Sequence, residues 1–175
     1  MHVLQDEALP IPAGACEGAG AEAGGALRQA VAVVRPVKVA RGQKLFGDGE
    51  PLVAVYEVLS GMFKTCICTV DGRQQVTGFQ GPGDWLGVEG LDTRHHSLDA
   101  TALTDSQVRP LDYLALDAQM RADTRLQHAF HRMMSREIVR HSAMLLVLGS
   151  LQAEARLASF LLDLPALRRA GRRPA

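Results

Sequence analysis

From Val37 to about Leu116, short apolar runs are cut by turn signals about every ten residues. The runs Val53-Ala54-Val55-Tyr56-Glu57-Val58-Leu59 and Met62-Phe63-Lys64-Thr65-Cys66-Ile67-Cys68 are rich in β-branched and aromatic residues. Arg41-Gly42, Gly47-Asp48-Gly49, Ser60-Gly61, Asp71-Gly72 and Gly81-Pro82-Gly83-Asp84 separate them and their neighbours. Glycine supplies positive φ at such corners, and Asp-Gly favours tight hairpins. The pattern predicts an all-β sandwich or barrel. After Leu116 no glycine follows until Gly149, and residues 117–148 predict a helix, with a break near Asp123. Met134, Ile138, His141, Leu145 and Leu148 recur at spacings of 4, 3, 4 and 3, a heptad seam. Spacing alone leaves open whether this narrow stripe packs on its own barrel or against a second copy of the helix.

The flanks read differently. Residues 1–26 are rich in Gly, Ala and Pro without a sustained period, which predicts a mobile arm. The apolar stretch Leu27 to Val34 ends at Arg35-Pro36, since the residue before proline is pushed out of the helical region. Gly149-Ser150 offers a helix end, and Gln152 to Leu164 a second short helix before Pro165. The expected organisation is an arm (1–26), a β domain (27–116), a long helix (117–150), and a short helix with a basic tail (151–175).

Composition narrows the function. Apolar residues make up 47% of the 175, enough for a folded core, and 19 basic residues balance 19 acidic ones. No overall field attracts nucleic acid or anionic lipid. The paired Arg168-Arg169 and Arg172-Arg173 are a local exception that could support weak, salt-sensitive phosphate contacts. A basic start followed by an apolar run is missing, as is any stretch of the ~20 apolar residues a membrane helix needs, so the expectation is a cytoplasmic protein without a membrane partner. Cys16, Cys66 and Cys68 are an odd number, which disfavours a disulfide framework.

Three stretches carry a family likeness. The first is Gly42-Gln43-Lys44-Leu45-Phe46, Gly49-Glu50 and Tyr56-Glu57-Val58-Leu59-Ser60-Gly61. The second is Asp71-Gly72-Arg73-Gln74-Gln75-Val76-Thr77-Gly78-Phe79, leading to Gly83-Asp84-Trp85-Leu86-Gly87. The third is Arg132-Met133-Met134-Ser135-Arg136-Glu137-Ile138, continuing to Glu154-Ala155-Arg156-Leu157-Ala158-Ser159-Phe160-Leu161. In order and spacing they resemble the Crp/Fnr superfamily of bacterial transcription regulators, the Fnr branch in particular. The resemblance implies a mainly β fold with C-terminal α: a cyclic-nucleotide-binding-type β-roll (a double-stranded β-helix jelly roll), then a long helix that pairs in a homodimer. In the family a winged helix-turn-helix follows and binds DNA. Two helices and a turn need about 20 residues, and the Arg-rich end does not look like that continuation. The expectation is therefore a truncated regulator holding the sensing and dimerisation part, with DNA reached only through a domain absent from this chain.

The same resemblance supplies candidate sites. Relatives that bind cyclic AMP use a Gly-Glu pair and an Arg-Ser pair. The matching positions are Val88-Glu89 and His96-Ser97, so an effector pocket would involve Glu89, His96 and Ser97. A neutral imidazole replaces poorly the bidentate guanidinium that would hold a cyclic phosphate, which disfavours cyclic AMP. Oxygen-sensing Fnr proteins hold an iron–sulfur cluster on three clustered N-terminal cysteines and a fourth in the β-roll. Here the arm has only Cys16 and the fourth position matches Arg109, which disfavours a cluster. Asp71, Gly72 and Arg73 match a loop through which Fnr proteins touch RNA polymerase; read plainly, they are a hairpin turn. His141 matches an acidic position whose repulsion weakens the Fnr dimer. Facing its symmetry mate, it would weaken pairing as pH falls through the histidine range; otherwise it is a hydrated side chain.

Read from the residues, the remaining candidates are mild. Cys66 and Cys68, two apart on a strand, share one face without the spacing of a metal or redox motif, and read as small apolar fillers or, less simply, a redox pair. His95-His96 sits in a polar loop without enough neighbouring ligands for zinc, so no metal is expected and the pair reads as solvated. No cupin-type metal set and no nucleophile–base constellation can be assembled, so no enzyme is expected. Two other functions remain open: a stand-alone dimerisation module that pairs with a full-length paralogue, and a small-molecule-binding β-roll.

Overall fold

The computed structural model describes residues 27, 35–69 and 71–150, with side chains through 142. The described residues form eight strands: β1 (Val37–Val39), β2 (Lys44–Phe46), β3 (Val55–Ser60), β4 (Phe63–Cys68), β5 (Gln74–Gln80), β6 (Trp85–Leu86), β7 (Asp99–Ala102) and β8 (Ser106–Leu111). A 3-10 turn spans Val88–Gly90 between β6 and β7, and two helices close the described part, α1 (Tyr113–Ala122) and α2 (Thr124–Ser150). The strands make two four-stranded sheets, in the orders β1-β8-β3-β6 and β2-β7-β4-β5. Every pairing is antiparallel. This is an all-β domain, as the apolar runs and turn signals predict, in the β-roll form that the family resemblance implies.

Two cores divide the apolar residues. One lies within the roll and contains Phe46, Val58, Phe63, Leu86 and Val108. The other joins the roll to the helices and contains Trp85, Leu111, Leu116, Leu126, Phe130 and Met133. Leu27, fully buried, belongs to this second core and ties the start of the chain to the helical end. Gly61 is required twice at the β3–β4 corner. Its φ is +86°, and a Cβ there would lie 2.1 Å from Ser106 Oγ. The Ser-Gly signal therefore marks both a left-handed turn and a close approach of β8.

The helical region begins at Tyr113, ahead of the expected residue 117, because Asp112 caps it: its Oδ1 accepts from Leu114 N at 2.9 Å. The expected break falls at Asp123. Its backbone N–H donates to Gln119 O at 2.9 Å and closes α1, while its Oδ1 accepts from Arg125 N at 2.8 Å and opens α2. The short helix expected over 152–164, the basic tail and the arm of residues 1–26 lie outside the described residues.

Candidate functional site

Gly87 turns the chain out of β6 in the left-handed region, with φ +87°, and starts the Val88–Gly90 turn that presents Glu89. The return strand reaches His96, whose backbone is fixed from both sides: His96 N donates to Glu50 O at 2.9 Å, and His96 O accepts from Gly49 N at 2.8 Å. Between them Arg94 takes a positive φ of 62°, an uncommon conformation outside glycine. Its guanidinium lies 5.5 Å over the Tyr113 ring. Gly90 is equally constrained, since a Cβ there would meet His95 O at 2.8 Å.

This framework brings Glu89 and His96 together. His96 Nδ1 lies 3.0 Å from Glu89 Oε1. The imidazole also stacks on Phe46, with ring centroids 3.7 Å apart and planes 10° from parallel. Its Cε1 is within 3.2 Å of where a Gly87 Cβ would be. The expectation of two solvated histidines is corrected: His95 is exposed, but the His96 side chain is only 2% exposed and is packed as part of the roll. Ser97 is exposed and is not drawn into the pair. A cyclic phosphate does not fit this arrangement. The ring that stands in the arginine's place is already paired with Glu89 and sandwiched by Phe46 and the Gly87 turn.

Of the positions that the resemblance assigns to an iron–sulfur cluster, the described residues include only the one matching the fourth cysteine. Arg109, at the position matching the fourth cysteine, is the cross-strand partner of Glu57, and its Nη1 donates to Glu57 Oε2 at 3.1 Å. Glu57 is 1% exposed in the middle of an otherwise apolar strand, so the guanidinium compensates a buried carboxylate. Among the described residues no group of three or more His, Cys, Asp or Glu is arranged to hold a metal ion; Cys16 lies outside them. Of the other two cysteines only Cys66 behaves as a core filler, and burial pushes its thiol above the usual range. Cys68 is exposed at the strand end, with Sγ 3.8 Å from Asp99 Oδ2, which corrects its reading as a filler. A bulge between Thr65 and Cys66 shifts the register of β4 against β5.

Helix α2 presents two stripes of identical spacing. Met133 and Glu137 are buried and Arg140 half-buried, whereas, each one residue on, Met134 is half-buried and Ile138 and His141 are exposed. One residue is a turn of about 100° around a helix, so the two stripes occupy adjacent faces. Met134 is partly buried against the helix–roll core, Ile138 is 62% exposed, and His141 is exposed. The backbone of Leu145 and Leu148 continues the helix, and their side chains lie outside the described residues.

The inner stripe carries an ion cluster that the sequence reading missed. Arg140 pairs with Glu137 on its own helix and with Asp84 in the β5–β6 turn. Asp84 Oδ2 also accepts from Gly81 N at 2.8 Å, so one carboxylate organises the Gly-Pro-Gly-Asp turn and receives the helix. Burial works to lower the Arg140 pKa, but Asp84 and Glu137 outweigh it and raise it. The signal in the sequence was Glu137-x-x-Arg140, an i,i+3 pair on a helix, but nothing there points to Asp84 as its third member.

Asp71, Gly72 and Arg73 form the exposed β4–β5 turn. Gly72 has φ +81°, and Arg73 Nε lies 3.0 Å from Asp71 Oδ2. The Thr69 hydroxyl donates to Asp71 and holds its carboxyl below the usual range.

Residues 36–123 match the family model described as cyclic nucleotide-binding domain. The transcriptional regulatory protein btr of Bordetella pertussis is 41% identical over 128 residues, covering 73% of this chain and 53% of that protein. The transcriptional activator protein anr of Pseudomonas aeruginosa is 37% identical over 136 residues, covering 78% of this chain and 55% of that protein. Among solved structures, FixK2 from Bradyrhizobium japonicum superposes with a TM-score of 0.70 at 29% identity, covering 79% of this chain and 68% of that one. The chain spans about half the length of the curated relatives it matches.

Proposed function

The chain belongs to the cyclic nucleotide-binding domain family, its homologues are transcription regulators of the Crp/Fnr type, and from that premise we propose that it works as the sensing and dimerisation part of such a regulator. The homodimer forms along Met134, Ile138, His141, Leu145 and Leu148. One observation carries the reading: Ile138 is left 62% exposed on a helix whose adjacent face is already filled by its own roll. A second copy of the helix would cover it, in register with the heptad spacing of the stripe. DNA contact in the working regulator belongs to the half of the relatives' length that this chain does not match. The Asp71-Gly72-Arg73 turn, exposed and held rigid by Thr69, is the surface offered to RNA polymerase.

No catalytic step is assigned, in keeping with relatives that are regulators. No described helix is long and apolar enough to cross a membrane, and a cytoplasmic site of action is part of the proposal. The signal is neither cyclic AMP nor an iron–sulfur cluster in this reading, because His96 is committed to Glu89 and Arg109 to Glu57.

The test is the mass in solution by light scattering, for the wild type and for Ile138→Asp. The substituted side chain is exposed in the single chain, so the monomer keeps its fold. A dimer converted to a folded monomer supports the reading, because one unpaired charge at a buried seam costs several kcal/mol, on the order of a thousandfold in the dimer constant. A wild-type monomer, or a dimer indifferent to Ile138→Asp, overturns it.

A further inference from the structure

The outer side of α2 carries a charge imbalance that neither the roll nor the seam uses. Residues 121–142 contain five arginines against Asp123 and Glu137. Both acids are committed: Asp123 caps the helix, and Glu137 is buried against Arg140. Arg121 is paired with Asp117 at 3.0 Å. Arg136 is half-buried and engaged in an interaction of its own. That leaves Arg125, His128 and Arg132, exposed at spacings of 3 and 4 and so on one stripe, without an ion-pair partner among the described residues.

The opposite imbalance lies at the other end of the sequence. Residues 1–26 contain Asp6, Glu7, Glu17 and Glu22 and neither lysine nor arginine. The two regions are brought together by Leu27. It is fully buried in the core that holds Leu126, Ala129, Phe130 and Met133, the inner face of the same helical turns that carry Arg125 and Arg132 outside. Residue 26 is therefore tethered, through Leu27, to the core that the inner face of α2 shares. Arg125 and Arg132 are seven residues apart, about 10 Å along the axis. Five residues of chain, from Leu27 to Glu22, reach up to about 17 Å, and ten, to Glu17, about twice that. Tethering at Leu27 makes the encounter intramolecular and raises the effective concentration of the acids.

We propose that residues 1–26 of this chain dock on the Arg125–His128–Arg132 face of α2, with Glu17 and Glu22 as the principal anionic contacts. The docked arm shields the positive stripe from other polyanions and lies on the side of α2 away from the seam. The proposal does not depend on the seam being a dimer interface.

Cys16 allows a direct test in the full chain. A nitroxide is attached to Cys16 in a Cys68→Ser background, since Cys66 is buried and Cys68 is the other accessible thiol. Paramagnetic broadening is then read at the amides of residues 125–132. Docking predicts strong broadening at low salt and its loss at about 0.5 M salt, where screening shortens to a few ångströms. The broadening should also be lost in Glu17→Arg/Glu22→Arg, which leaves the folded core untouched, and return when that change is combined with Arg125→Glu/Arg132→Glu. Absence of broadening in the parent chain, or broadening indifferent to either reversal, overturns the proposal. Broadening seen only between labelled and unlabelled chains in a mixture overturns it in favour of a second copy's arm. Equal affinity of a single-stranded oligonucleotide for the stripe with and without residues 1–26 overturns the shielding and makes an external polyanion the occupant.

Discussion

The His96 imidazole and the Glu89 carboxylate of the Val88–Gly90 turn meet at 3.0 Å. The ring is held from the far side by Phe46, so it acts as a packed core element and not as a free ligand. His96→Ala should cost about 2–4 kcal/mol, from a vacated ring volume and a carboxylate that loses its partner. Urea unfolding measures it; an unchanged midpoint would mean the ring is not packed in solution. In the same reading, cyclic AMP should leave the wild-type melting temperature unmoved.

Arg140 joins the helix to the β5–β6 turn through Asp84 and Glu137. Arg140→Met should destabilise by about 2–3 kcal/mol, below the 3–5 of a fully buried pair because Arg140 and Asp84 stay partly exposed. Arg140→Lys should recover only part, since one ammonium cannot serve two carboxylates in the way a planar fork does. Equilibrium denaturation of both variants decides; equal stability of Arg140→Met and the wild type would remove the cluster from the account.

Gly61→Ala should be among the more damaging single substitutions in the roll. A left-handed φ costs any other residue about 1–3 kcal/mol, and the new methyl would collide with Ser106, for about 1–3 more. Adding Ser106→Gly should relieve the contacts with the serine side chain and leave both the backbone cost and the approach to the Ser106 Cα at 2.7 Å. A double-mutant cycle by thermal unfolding separates the two, and strict additivity would show that the approach of β8 is not tight.

Asp99 accounts for part of the acid sensitivity. Burial pushes its pKa up, but the Lys44 ammonium at 2.9 Å and the Asp48 amide at 3.0 Å outweigh this and hold it below the ordinary aspartate value. A carboxyl whose folded pKa is depressed contributes stability above its unfolded pKa and loses it as pH falls through the folded one. The urea midpoint should therefore fall between about pH 5 and about pH 2, and fall less in Asp99→Asn. Parallel curves for the two proteins would show that Lys44–Asp99 does not contribute.

The roll was legible because its signals are local. Turn glycines and short β-branched runs announce strands without any knowledge of what pairs with what. Helix α2 was legible too, but which of its faces meets the roll was not. The stripe that faces the roll contains Glu137 and Arg140, which hydropathy counts as surface, so the apolar spacing pointed to Met134, Ile138 and His141 and not to the buried stripe beside them. His96 failed for the same reason. A polar loop residue becomes a core residue only through Phe46 and Glu89, one 50 positions away and the other across a turn, and no local pattern encodes that meeting. Asp112 and Asp123 are a different case: both caps were present as ordinary start signals, and Asp112 was passed over because the apolar period begins after it.

Asp123 leaves no slack between the two helices, since its amide ends one and its carboxylate begins the next. The 27 residues of α2 make a rod of about 40 Å that meets α1 at that single joint and the roll through Leu126, Phe130, Met133 and Arg140. A tilt of about ten degrees where α1 seats on the roll would carry the far end of the rod by about 7 Å. A short, stiff joint of this kind converts a small settling of the β-roll into a large displacement at the end of the rod, with gain set by rod length and not by the chemistry of whatever moves the roll.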